Sequence, residues 1–145
     1  MPSIKNTLGL VLTATIILTG CSTPGPKFTD YRATLPPPAE GMSRIWFYRN
    51  SVFFGDGMVP YIKLDGTNVV RSVPDTFYQT EVAPGLHKVS VSTETTKEVM
   101  VNVRTNEDAY VNFYILPGVL VGRVVPTVVL EPDALRSMEK LTLTK

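Results

Sequence analysis

Tyr61-Ile62-Lys63-Leu64-Asp65-Gly66-Thr67-Asn68-Val69-Val70-Arg71-Ser72-Val73 is the stretch on which the fold turns. Two short β-favouring runs, 61–64 and 68–73, flank Asp65-Gly66, a pair suited to the positive φ angles of a tight hairpin turn. The pattern continues downstream. Residues 77–82 and 86–93 flank Pro84-Gly85, where proline presets φ at the first corner and glycine accepts a left-handed second corner. His87, Val89, Val91 and Thr93 share one side of a strand, Val99, Val101 and Val103 one side of the next, and residues 110–116 set Val111, Phe113 and Ile115 opposite Tyr110, Asn112 and Tyr114. Residues 122–130 supply a further strand in which Pro126, lacking an amide donor, marks an edge or a bulge. Strands of this length and spacing predict an all-β fold, an antiparallel β-sandwich. A short C-terminal helix over residues 132–140 follows from Pro132 in the first turn, Asp133 at the positive end of the helix dipole, and Ala134, Leu135, Met138 and Leu141 on one face. It is expected to cover one end of the sandwich.

Upstream, Arg44-Ile45-Trp46-Phe47-Tyr48-Arg49 opens the sandwich domain, assigned to residues 43–145. Ile45 and Phe47 lie on one face, Trp46 and Tyr48 on the other, and either face suits a core. Residues 21–42 are rich in proline, with Pro24-Gly25-Pro26 and Pro36-Pro37-Pro38, and read as a tether. In extended polyproline geometry it reaches roughly 60 Å. The alternative is that Phe28, Tyr31 and Leu35 pack back onto the domain.

Residues 1–20 read as a signal peptide: Lys5 precedes the apolar run 8–18, and Leu18-Thr19-Gly20-Cys21 is a lipobox. Cys21 is the lipidation residue, expected to carry a diacylglyceryl thioether and, after cleavage, an N-acyl chain. No other cofactor is expected. A run of eleven apolar positions is short of the about 20 residues that a spanning helix needs. Each buried methylene of an acyl chain contributes about 0.8 kcal/mol, so two or three chains fix a protein to a bilayer. Ser22 after the cysteine is similar to outer-membrane-directed lipoproteins of Gram-negative bacteria, which implies the periplasmic face of the outer membrane.

Charge narrows the partners. Of 14 Lys and Arg residues, Lys5 leaves with the signal, and the 13 that remain face 13 Asp and Glu. With no basic run to release counterions, nucleic acid is not an expected partner. The chain has one cysteine, so neither an internal disulfide nor a Cys-based zinc site is available to it.

Chemistry-bearing residues are sparse. His87 stands alone and reads as a strand-end residue capping the core rather than a general base. Gly55-Asp56-Gly57 is too short for a calcium or phosphate loop and reads as a turn. Glu94 and Glu98 read as solvated hairpin charges, and Gly118-x-x-x-Gly122, flanked by prolines, as strand and turn. Val52-Phe53-Phe54-Gly55 puts bulky apolar side chains beside glycine on a loop, where they either finish the core or form a contact. Trp46, Tyr48, Phe53 and Phe54 are the candidate partner-binding residues.

The order Arg44 to Arg49, Phe53-Phe54-Gly55, Tyr61-Ile62-Lys63-Leu64-Asp65-Gly66, Val82-Ala83-Pro84-Gly85-Leu86-His87, Thr93-Glu94 and Gly122-Arg123 resembles an uncharacterised bacterial lipoprotein family with one β-sandwich domain of unknown function. The Asp-Gly strand and Pro-Gly-x-His hairpin are also similar to the small bacterial surface modules called PEGA domains. Two loops depart from the resemblance: Pro74-Asp75-Thr76 stands where glycine is frequent, and Asn106-Glu107-Asp108 replaces a Gly-Lys turn. Both resemblances imply a non-catalytic envelope module. The expectation is a lipid-anchored envelope protein that binds or scaffolds an envelope protein or glycan. One alternative is a carbohydrate- or peptidoglycan-binding module stacking sugars on Trp46, Tyr48 and Tyr114. Another is a metal-independent envelope enzyme whose cleft would bring together Arg49, Arg123, His87 and a carboxylate.

Overall fold

In the computed structural model, which describes residues 24–144, the order is α1 (Phe28–Thr34), β1 (Ser43–Arg49), β2 (Tyr61–Leu64), β3 (Thr67–Arg71), β4 (Thr76–Val82), β5 (Gly85–Ser92), β6 (Thr96–Val103), β7 (Asp108–Leu116), β8 (Arg123–Val129), α2 (Glu131–Met138) and β9 (Thr142–Leu143). One sheet has the order β8-β7-β1-β4-β9 and the other β3-β2-β5-β6. The expected all-β sandwich with a short C-terminal helix is therefore the fold. It is not antiparallel throughout: β1 runs parallel to β7, and β4 parallel to β9. Both parallel pairs join strands distant in the chain, which local turn signals do not report.

Turn chemistry accounts for the reversals. Asp65 and Gly66 both take positive φ, 50° and 87°, as the hairpin between β2 and β3 requires. Asp75 and Asn106 have φ of 55° and 59°. Aspartate and asparagine are the two residue types other than glycine that best tolerate left-handed backbone. Pro126 lies in β8, an edge strand, where sheets tolerate a residue that lacks an amide donor.

Each residue of β1 is buried, because the five-stranded sheet is covered on both faces. Ile45 and Phe47 meet Ile62, Val89, Val91, Val101 and Phe113 between the sheets. Trp46 and Tyr48 point the other way, into a second core with Phe28, Phe77, Tyr110, Ala134, Met138 and Leu141. The two faces left open by the sequence are thus both core. Trp46 and Tyr48 are 1% and 2% exposed, which overturns their reading as partner-binding residues. The covering layer is helical: α2 lies on the sheet's outer face and not over an end, starting one residue before the expected Pro132.

The tether expectation is also corrected for residues 24–42. Phe28, Tyr31 and Leu35 pack on the second core, with the Phe28 ring edge-on to Trp46 at 5.4 Å and to Phe77 at 5.3 Å. Phe28 N–H donates to the Leu141 carbonyl and Leu143 N–H to the Pro26 carbonyl, each at 2.9 Å, while Lys27 bridges Thr142. Ala39 N–H donates to the Glu81 carboxylate at 3.2 Å. Aromatic burial outweighs the extended bias of the neighbouring prolines. The signal peptide and Cys21 lie outside the described residues.

Strand directions divide the connections between two ends. β1 and β7 both run toward an end where residues 50–60, 72–75, 93–95 and 117–122 gather, the loop end. Residues 36–42, 65–66, 83–84 and 104–107 lie at the opposite, turn end.

Candidate contact site at the loop end

The loop after β1 is shaped by a buried cation. Arg49 is 1% exposed, and its guanidinium donates to the carbonyls of Met58, Ser72 (2.9 Å) and Gly55 (2.7 Å), with Asp56 at 3.8 Å. Burial pulls the Arg49 pKa below the ordinary value, and Asp56 opposes that shift. A charged donor satisfying three carbonyls fixes the loop more firmly than a neutral side chain would. Asp56 in turn accepts from the Ser51 hydroxyl and the Val52 amide, and these bonds, with Arg49, hold its carboxyl below the usual range. Gly55-Asp56-Gly57 is therefore an internally braced turn. The Ser51 amide donates to Asp75 at 2.8 Å.

The loop between β7 and β8 is held the opposite way, by an anion. Glu94, on the turn between β5 and β6, accepts the amides of Val119 (2.9 Å), Leu120 and Val121 (2.6 Å). Those amides, Val121 first and then Leu120, hold its carboxyl below the ordinary value. Glu94 is thus a clamp on this loop and not only a solvated charge. The glycine pair finds its reason here: a Cβ on Gly118 would lie 2.3 Å from Glu94 Oε2, and Gly122 has φ of +127°. The pairing of Glu94 with a loop 25 residues away was not visible from spacing.

The two loops adjoin. The Met58 methyl lies against both Gly55 and Gly122, where a Cβ at either would come within 2.9 Å of it. Buried Arg49 engages the main chain of the first loop and Glu94, on the adjoining turn, that of the second, and the apolar side chains of both loops lie exposed. Val52, Phe53 and Phe54 are exposed on one loop, and Leu116, Val119, Leu120 and Val121 on the other. Val119 and Leu120 are 90% and 88% exposed, and Phe53 is fully so. Burial, the ordinary fate of such residues, does not hold for Phe53 and Phe54. Val119 to Val121 went unnoticed in the sequence, where their apolar run reads as strand.

The remaining candidates lie elsewhere. Tyr114 is partly exposed, but α1 and α2 cover Trp46 and Tyr48, so the three rings do not form a sugar-stacking platform. His87 sits at the turn end, its Nδ1 2.7 Å from Asp65 Oδ2 and its Nε2 2.8 Å from the Ala83 carbonyl. Asp65 Oδ1 also accepts the Lys88 amide at 2.8 Å. Burial opposes charge on His87, but the bonds to Asp65 and Ala83 prevail and raise its pKa. The imidazole ring is a brace between two turns. Arg123 donates to the Pro117 carbonyl at the loop end, so Arg49, Arg123 and His87 do not converge in one cleft. An open groove of about 1040 Å³ runs beside Arg32, Arg44, Trp46, Asp108 and Glu131 at the turn end. Its cations are paired, Arg32 with Glu131 and Arg44 with Glu81, so it offers no single-sign recognition surface.

A protein of Haemophilus influenzae described only as uncharacterized is 25% identical over 107 residues, which cover 73% of this chain and 63% of that relative. The chain thus spans less than two thirds of the relative's length. No protein-family model matches, and no solved structure matches.

Proposed function

We propose that this protein is a lipid-anchored component of the bacterial envelope, attached through Cys21, whose β-sandwich is a non-catalytic binding or scaffolding module that works through its loop end. The observation that carries the reading is the lipobox Leu18-Thr19-Gly20-Cys21, separated by Ser22 and Thr23 alone from the described domain at Pro24. Among the described residues no helix is long and apolar enough to cross a membrane. The pinned, outward apolar side chains Phe53 and Phe54 support a contact role, since exposed apolar groups that cluster usually mark an interaction surface. Ser22 favours the periplasmic face of the outer membrane.

Intact-mass measurement of the protein isolated from membranes is the test. The expected product begins at Cys21 and carries acyl chains, and Cys21→Ala shifts the protein out of the membrane fraction. An uncleaved, unmodified N-terminus, or a Cys21→Ala protein still firmly in membranes, would overturn the reading.

A further inference from the structure

We infer that the domain stands on its lipid anchor with the turn end beside the phospholipid headgroups and the loop end facing away from them. This orientation rests on lipidation at Cys21, and it fixes the side from which a partner of the loop end must approach.

The path of the first described residues sets the heading. β9 is parallel to β4 and so runs from the loop end toward the turn end, with Thr142 beside Thr76 and Leu143 beside Phe77. Lys27 bridges Thr142 in the antiparallel sense, and the Pro26 carbonyl accepts the Leu143 amide. Followed backward from Lys27, the chain therefore climbs toward the turn end. Gly25 already sits against Leu143, whose carbonyl oxygen a Cβ there would strike. Cys21 lies four residues before Gly25, a reach of at most about 14 Å. That matches the rise of β4 from Tyr78 to Val82, about 13 Å, so a chain that keeps its heading brings the acylated residue level with the turn end. Pro24 and Pro26 favour that heading, since proline restricts its own φ and biases the residue before it toward extended backbone.

The sideways position points the same way. The strand order puts β9 and the Lys27 segment on one border of the five-stranded sheet, and β7 and β8 on the other. Three strand spacings, about 14 Å, separate β9 from β7. Along the strands, Phe77 and Asn112 are level through their shared neighbour Tyr48, and β7 runs on to Leu116 before the loop 117–122 begins. The chain leading to the anchor and the apolar loop thus occupy diagonally opposite corners of the sheet. The surface that the turn end offers around the exit of β4 is polar, with Asp65, Thr67, Asn68, Glu81 and Lys88 exposed. Such groups keep their hydration beside headgroups and need not enter hydrocarbon, where they would be penalised. Asp56, Asp75 and Glu94 at the loop end also stay in water, and Phe53, Val119 and Leu120 are held out toward the space beyond the anchoring layer.

The test uses the acylated mature protein reconstituted in vesicles of phosphatidylethanolamine and phosphatidylglycerol that include a lipid with a nickel-chelating headgroup. The chain has one cysteine and the lipid consumes it, so a single introduced cysteine takes a nitroxide label without ambiguity. Ala83→Cys and Thr67→Cys place the label at the turn end, Phe53→Cys and Leu120→Cys at the loop end, all at exposed positions. With the two ends of β4 about 20 Å apart, nickel at the headgroups is expected to relax the turn-end labels at least about threefold more than the loop-end labels. Two positions at each end keep the comparison intact if one variant fails to fold. Equal relaxation at both ends, or stronger relaxation at the loop end, in acylated protein that floats with the vesicles overturns the orientation and leaves the anchor standing. A mass showing no acyl chain on Cys21 overturns the orientation and the anchor together.

Discussion

At the turn end the chain reverses in a few residues whose own backbone geometry does the work: Asp65, Gly66 and Asn106 adopt positive φ, and polar side chains face water. At the loop end two reversals are longer, and each is held by a side chain outside it, Arg49 for residues 50–58 and Glu94 for residues 117–122. The contrast separates two ways of ordering a loop. A locally encoded turn leaves its side chains free to be polar. A loop pinned through its main chain can carry apolar side chains outward and still keep one shape.

Removing a pin tests that distinction most severely. Arg49→Ala takes the donor from three carbonyls beneath the loop and is expected to destabilise the domain by about 3 kcal/mol in urea unfolding. The loop at 50–58 then becomes the first site of proteolysis. If stability were unchanged, the loop would be held by other means. Gly118→Ala pushes a methyl into the Glu94 carboxylate and the Gly122 amide, with an expected cost of about 1.5 kcal/mol and faster amide exchange at Val119 to Val121. Glu94→Gln should speed the same exchange while leaving the turn end untouched.

Acidity sharpens the comparison, because the turn end alone carries a group whose pKa is raised. The His87 pKa is raised in the fold, so its brace is fully present below the unfolded value near 6.5 and is lost as pH climbs through the raised native value. The Glu94 pKa is lowered, so its clamp is present above the unfolded value near 4.5 and is lost as pH falls through the lowered native value. Asp65 is lowered as well, from 3.8. The Asp65–His87 pair therefore stabilises most between those unfolded values, from 3.8 to 6.5. Amide exchange should quicken at the turn end alone above that window and at both ends below it, and His87→Gln should remove the alkaline response. The global effect of the histidine is expected to be under about 1 kcal/mol. The smallest change is expected from Phe53→Ser combined with Phe54→Ser: stability within about 0.5 kcal/mol of the parent, because neither ring is core. A larger loss would mean that the rings pack inward in solution.

The hairpin at Asp65-Gly66 and the helix after Pro132 were legible because their signals are local: a turn pair between alternating strands, and a capped apolar periodicity. Trp46 and Tyr48 were not, since a strand apolar on both faces does not say what covers each. Their cover, α1, carries Phe28, Tyr31 and Leu35 at helical spacing, but it sits between prolines that favour extended backbone. Phe53 and Phe54 stood out as a loop feature. The residues that make them a feature of one shape did not, because a guanidinium reaching carbonyls and a carboxylate reaching amides of a distant loop leave no trace in periodicity or composition.

The pairing of Lys27 with Thr142 has a consequence for the order in which the molecule is completed. The outer border of the five-stranded sheet is closed by two pieces from opposite ends of the described chain, and the Phe28 amide finds its acceptor only on Leu141. A chain without residues 141–144 therefore carries α1 without this latch, and closing it brings together residues from opposite ends of the described chain.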